Sequence, residues 1–201
     1  KVWSVKGGYC THNFRGHRTI VTGLQFHPDP QRLHLFSSDN SGSVRLWSLL
    51  AGQDKNKLDD IYRQYSNKHA EFNNHLSAVT AIAFSTSGNV LFTAGRDKVV
   101  NIWDIEDGIN ELLKTVPVYE SVEGVAILPN AALDNNNSIK FATSGEKGIV
   151  RVWKYNISDP RQQCTCIVTQ QTEDKYPHLG LIYHAKTGRI IVSNQENYLL
   201  F

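Results

Sequence analysis

Cysteine is scarce: three residues in 201 cannot complete a disulfide framework, so a reducing compartment is expected. Cys164 and Cys166 share a face of an extended stretch. No second cysteine or histidine pair follows at ligand spacing, which argues against a metal site. Long apolar runs are missing as well; none approaches the roughly 18 residues of a membrane span, and the first residues lack a signal-peptide pattern. Neither sign of charge dominates, with 21 basic against 19 acidic residues and a net charge of +2, so no electrostatic footprint for strong nucleic-acid binding is present. The chain also has no glycine-rich phosphate loop, HExxH, GxSxG or paired cysteine motif. Together these absences predict a protein without catalysis, cofactor, metal, small-molecule substrate or membrane association.

What the chain does have is repetition. Tryptophan stands at 3, 47, 103 and 153, with Phe201 in the same place, at spacings of 44, 56, 50 and 48. The clearest unit is HLSAVTAIAFSTSGNVLFTAGRDKVVNIW, His75 to Trp103. Within it Ala78 to Phe84 alternates Thr80, Ile82 and Phe84 with Val79, Ala81 and Ala83, a strand buried on both faces. Ser87-Gly88-Asn89 turns the chain, Val90 to Gly95 forms a second strand, Arg96-Asp97-Lys98 a tight turn, and Val99 to Trp103 a third strand. The unit resembles one blade of a WD40 β-propeller. That resemblance implies a structural hydrogen-bonded network of His75, Thr93, Asp97 and Trp103, in which the carboxylate accepts from an imidazole that positions the hydroxyl and the indole N–H.

The other units are worn copies. In the first, His17, VTGLQF, LHLFSS and VRLW recur in register, but Ser41 occupies the place of Asp97, six residues before Trp47. Asp39 lies two residues further away, so this network is expected to be incomplete or differently wired. If Asp39 is merely a surface turn residue, its loss costs under about 1 kcal/mol. In the third unit Tyr119 stands where histidine belongs and Lys147 where aspartate belongs, so no network is expected. The fourth keeps only the apolar alternation of LGLIYH, RIIVSN and YLLF.

Between Trp47 and His75 an insertion over 51–70 places Leu58, Ile61, Tyr62 and Tyr65 at helical spacing. It reads either as a short amphipathic helix packed on a partner or as a solvated loop. The chain is expected to be all-β, an arc of about four blades from a larger, seven-bladed tandem propeller, with approximate repeat units 4–47, 48–103, 104–153 and 154–201 in one domain. Propellers of this kind meet partners near the central channel. By position Arg18, Asn40, Arg96 and Lys147 are the candidate partner-binding residues.

Finer resemblance comes from FRGHRTIVTGLQFHPDPQRLHLFSS, AVTAIAFSTSGNVLFTAGRDKVVNIWD and above all TVPVYESVEGVAILP, Thr115 to Pro129. The last replaces the usual Gly-His entry and is similar to the WD40 subunits of the small-subunit processome. This resemblance implies a non-catalytic scaffold in the nucleus and nucleolus, with other WD40 and helical subunits as partners and at most indirect or weak contact with pre-rRNA or small nucleolar RNA. It would support pre-rRNA processing and small ribosomal subunit assembly. The alternative is a WD40 peptide-reading adaptor, such as a ubiquitin-ligase substrate receptor or signalling scaffold.

Overall fold

A computed structural model describes residues 1–50, 68–129, 138–159, 161, 163–196 and 199–200. Among these the chain builds antiparallel sheets and one short 3-10 turn, Glu106–Gly108. Strands β1 (Val2–Trp3) and β2 (Cys10–His12) pair with each other. Sheet one contains β3 (Val21–Phe26), β4 (His34–Asp39), β5 (Ser43–Ser48) and β6 (Lys68–Asn73). Sheet two contains β7 (Val79–Phe84), β8 (Val90–Gly95), β9 (Val99–Asp104) and β10 (Glu111–Pro117). Sheet three contains β11 (Val122–Leu128), β12 (Ser138–Gly145), β13 (Ile149–Asn156) and β14 (Cys164–Gln171). Sheet four contains β15 (His178–His184), β16 (Arg189–Asn194) and β17 (Leu199–Leu200).

Each sheet is a meander in which chain neighbours pair. The first strands β3, β7, β11 and β15 contact one another in succession, so the sheets stand side by side around an axis with their first strands innermost. Sheets and sequence repeats are out of phase by one strand. The strand after each tryptophan, β6 or β10, completes the sheet that holds that tryptophan. Lys68 to Ala70, read from sequence as the end of the insertion, therefore belong to β6. Residues 51–67, with the helical spacing of Leu58, Ile61, Tyr62 and Tyr65, lie outside the described residues.

Burial covers both faces of the second strands, with β8 buried at every position and β4 at all but its first. Phe36, Val44, Leu46 and Phe72 of sheet one pack against Val79, Leu91, Trp103 and Ile105 of sheet two. Phe92, Val100 and Ile102 continue into Val122, Phe141 and Trp153 of sheet three. Aromatic pairs tie the interfaces, with ring centroids 5.0 Å apart for Phe36 and Phe84 and 5.1 Å for Phe92 and Phe141, distances at which such pairs add to the burial of their area. A polar tie repeats as well. Thr22 donates its hydroxyl to the Val79 carbonyl of the next sheet, and Thr80, its counterpart, donates to Val122 O at 2.5 Å. Both threonines lie at register shifts in the first strand, where the unpaired residue of a bulge is free to re-aim its side chain.

Candidate interaction face

The loops that enter the first strands and the turns that join second to third strands lie at one end of the sheets. This end holds every polar network that the sequence singles out. In sheet two Asp97 lies 2.9 Å from His75 Nδ1, His75 Nε2 lies 2.8 Å from Thr93 Oγ1, and Trp103 Nε1 donates to the same oxygen at 3.0 Å. A carboxylate only accepts, so Nδ1 carries the proton of the neutral ring. Nε2 then accepts from the Thr93 hydroxyl, whose oxygen takes the indole N–H. Thr93 is fully buried, and every donor in the chain is used.

Sheet one holds an equivalent chain that is differently wired rather than incomplete, which decides between the two expectations for this blade. His17 Nδ1 lies 2.6 Å from Asp39 Oδ2, His17 Nε2 lies 2.6 Å from Ser37 Oγ, and Trp47 Nε1 donates to Ser37 Oγ at 2.7 Å. Asp39 is buried at the end of β4, so its reading as a surface turn residue is overturned. Its Oδ1 also accepts from Ser41 N, Ser41 Oγ and Ser43 N. Burial works against the charge on Asp39. The hydrogen bonds from Ser41, His17 and Ser43 outweigh it and hold the carboxyl below the usual carboxylate range. Asp97 is likewise opposed by burial and lowered overall, by its hydrogen bond to His75, by attraction to that ring when it is protonated, and by the Leu76 and Val99 N–H groups.

Carboxylate, imidazole and hydroxyl in line invite comparison with a hydrolase triad. Here the hydroxyl oxygens of Ser37 and Thr93 sit on buried residues and each is already engaged by an indole N–H, whereas a nucleophile needs an exposed turn and a reacting centre beside it.

Sheet three departs from the pattern but is not bare. Trp153 Nε1 still donates to Thr143 Oγ1 at 2.9 Å. In place of the histidine and aspartate, Glu120, with its side chain fully buried, pairs with Arg151 and accepts from Lys147 N at 2.8 Å. Both charges come from positions that the blade pattern leaves unassigned, which is why repeat matching passes over them. The expectation that no network forms here holds only for the His–Asp version. Sheet four retains His178, fully buried, with Nε2 3.4 Å from Thr172 Oγ1 and Nδ1 without a hydrogen-bond partner among the described residues. Asp174 accepts from Asn194 Nδ2 at 2.6 Å. The histidine and carboxylate signals thought lost are present in shifted places.

The four candidate partner-binding residues are exposed and lie on this face. Asn40 N and Arg96 N donate to Ile20 O and Ala78 O of the neighbouring entry loop, each at 2.9 Å, so they are equivalent. Glu146 N makes the matching bond to Ser121 O at 3.0 Å, so Lys147 stands one residue beyond, in the place of Asp97. The Arg96 guanidinium donates to Glu123 Oε1 at 2.8 Å, linking sheets two and three, and Lys147 Nζ reaches Tyr119 O at 3.0 Å. Arg18 lines a polar cleft of about 550 Å³ between sheets one and two, with Ser41, Ser43, Arg45, Glu71 and Asn73. Exposed apolar side chains stand beside these cations: Leu76 is 94% exposed, Ile20 76% and Tyr119 69%. Leu76 and Arg18 each follow a network histidine, so the same loop position presents a cation in one sheet and an apolar group in the next. Away from this face, Cys164 is half-buried, and burial pushes its thiol up to about 12. No group of three or more metal-ligating side chains occurs among the described residues.

Comparison with known proteins agrees with the geometry. Residues 8–48 and 66–104 match the family model "WD domain, G-beta repeat". The chain is 40% identical over 158 residues to transducin beta-like protein 3 of Rattus norvegicus, covering 77% of this chain and 18% of that protein. It is 25% identical over 157 residues to the pre-rRNA-processing protein crb3/ipi3 of Schizosaccharomyces pombe, covering 77% of this chain and 33% of that one. The chain thus spans less than a fifth of the transducin beta-like relative. Among solved structures it is similar to the RRP9 WD40 repeats, with a TM-score of 0.67 and 19% identity over 93% of this chain and 52% of that one. Side-by-side four-stranded meanders, the buried tryptophan at the end of each third strand and the two matched repeats make this chain a WD40-repeat β-propeller protein.

Proposed function

We propose that the chain is part of a non-catalytic protein-interaction scaffold of the nucleolar small-subunit processome, supporting pre-rRNA processing and small ribosomal subunit assembly. The observation that carries this reading is the similarity to transducin beta-like protein 3 over 77% of the chain. The kinship with a protein named for pre-rRNA processing supports it. The chemistry of the interaction face supports it too. Arg18, Arg96 and Lys147 are exposed beside the exposed apolar side chains Ile20, Leu76 and Tyr119, and although Arg96 also bonds Glu123 and Lys147 the Tyr119 carbonyl, this mixed cationic and apolar surface is suited to meet another macromolecule.

On this reading the partners are other WD40 and helical subunits. They engage Arg18, Asn40, Arg96 and Lys147 and the apolar positions between them. With a net charge of +2, contact with pre-rRNA or small nucleolar RNA is indirect or weak. Tagged full-length protein should concentrate in nucleoli, and its depletion should let unprocessed small-subunit pre-rRNA accumulate. A diffuse cytoplasmic protein with normal pre-rRNA would overturn the proposal.

A further inference from the structure

The loops of the interaction face change charge from sheet to sheet. Three residues before each first strand stands one exposed side chain: Arg18, Leu76, Tyr119 and Lys175 in sheets one to four. Because the first strands follow one another around the axis, these four positions form a row along the face, one residue wide. Over sheets one and two the exposed charges beside the row are cations, with Arg18 in an entry loop and Arg96 and Lys98 in the turn between β8 and β9. The carboxylates there, Asp39, Asp97 and Glu71, are held by His17, His75 and Arg45. Sheet three is balanced, with Glu146 and Lys147 exposed in its turn. Over sheet four the sign reverses: Glu173 and Asp174 in the entry loop and Glu196 in the turn are exposed, against Lys175 alone. Asp174 and Glu196 accept hydrogen bonds from Asn194 and Tyr176, neutral donors that leave both negative charges in place.

We propose that this row receives one segment of a partner protein whose charge runs in the opposite order: acidic residues over Arg18, Arg96 and Lys98, apolar residues over Leu76 and Tyr119, and basic residues over sheet four. The inference rests on the reading of the chain as an interaction scaffold and adds what the partner must carry. A row one side chain wide suits a single extended or helical segment. Opposite charges at its two ends fix the direction in which that segment lies, because turning it round brings like charges together at both ends. The exposed apolar groups at the centre lose water on contact and supply affinity that the charges alone do not. A nucleic acid fits poorly, since its phosphates are drawn to sheets one and two but repelled over sheet four.

The test places photo-reactive benzoylphenylalanine in the full-length protein, in living cells, at Asn40, Leu76 or Gln195, each exposed on this face, with mass analysis of the cross-linked products. The three positions should label one segment of one protein, beside acidic residues from Asn40, apolar residues from Leu76 and basic residues from Gln195. A synthetic peptide of that segment should bind the purified full-length protein. Arg18→Glu with Lys98→Glu, and separately Glu173→Lys with Glu196→Lys, should each weaken this binding about fivefold or more without changing the thermal melt. Should a reversal lower the melt, Arg18→Gln and Glu173→Gln repeat the measurement without new charge and should each weaken binding about twofold. Cross-links to RNA, to a second copy of the protein, to unrelated segments or to one segment in the opposite charge order overturn the proposal, as does the absence of any cross-link. A peptide that responds to only one end of the row, or to neither, overturns it too. Failure here leaves the processome reading intact, because that reading is tested by localisation and pre-rRNA processing, whereas the charge order is read on whichever partner is labelled.

Discussion

Asp39 and Asp97 do the same work in adjacent sheets from different backbone positions. Asp39, paired with Val21 at the end of β4, occupies the strand position that Gly95, paired with Val79, holds in sheet two. A Cβ built on Gly95 would lie 3.2 Å from His75 Nδ1 and 3.0 Å from Asp97 Oδ1, so a side chain at this place points at the imidazole. Two routes therefore bring a carboxylate to the histidine, from the strand end or from the turn beyond it. Where the strand end supplies it, Ser41 in the turn becomes a donor to Asp39.

Equal roles predict comparable losses. Asp39→Ala and Asp97→Ala each leave a buried histidine N–H without its acceptor, and each should destabilise by roughly 1 to 3 kcal/mol. Chemical denaturation of the two variants checks this. A cost near zero for Asp39→Ala would return it to the surface.

The buried Glu120–Arg151 pair should behave asymmetrically. Arg151→Met strands a carboxylate whose side chain is fully buried and should cost about 3 to 5 kcal/mol, whereas replacing both partners with apolar residues of similar volume should cost less than either single change. A double-mutant cycle in urea reads the difference.

Acid should act in two separate windows. Burial holds the His178 value below the ordinary 6.5, partly countered by Asp174. The unfolded chain therefore takes up this proton first, and the stability of neutral His178 is full above about 6.5 and declines as pH falls. Asp39 and Asp97, whose values are lowered from 3.8, contribute stability that is full above 3.8 and is lost only as pH falls below it. Melting temperatures should thus begin to fall below about pH 6.5, and His178→Phe should flatten this first decline without touching the second.

Thiol reactivity should separate the two cysteines of β14. Cys166 is exposed, while the half-buried Cys164, with its thiol pushed up to about 12, stays protonated at neutral pH. Alkylation followed by peptide mass analysis should label Cys166 first, with Cys164 reacting only on unfolding.

Much of this fold is legible in the residues because the first three sheets repeat one pattern of apolar alternation ending in tryptophan. Val21–Phe26, Val90–Gly95 and Arg189–Asn194 form strands where the alternation predicts them. The polar chemistry is less legible because it depends on space rather than spacing. A carboxylate reaches His17 from two residues off the expected register, and Glu120 and Arg151 meet from a loop and a strand separated by 31 residues. The outer strand β6 is obscured for another reason: Lys68 to Asn73 mix charged, polar and apolar residues, as suits an edge rather than a core.

The central claim is that the polar networks maintain the fold while the exposed cations beside them meet partners. It is tested most directly by a full-length protein carrying Arg18→Ala, Arg96→Ala and Lys147→Ala, followed through affinity purification of pre-ribosomal particles. Exposed charges of this kind contribute little to stability, so melting should match the wild type while the protein is lost from the particles. Undiminished particle association by the well-folded triple variant would contradict the account.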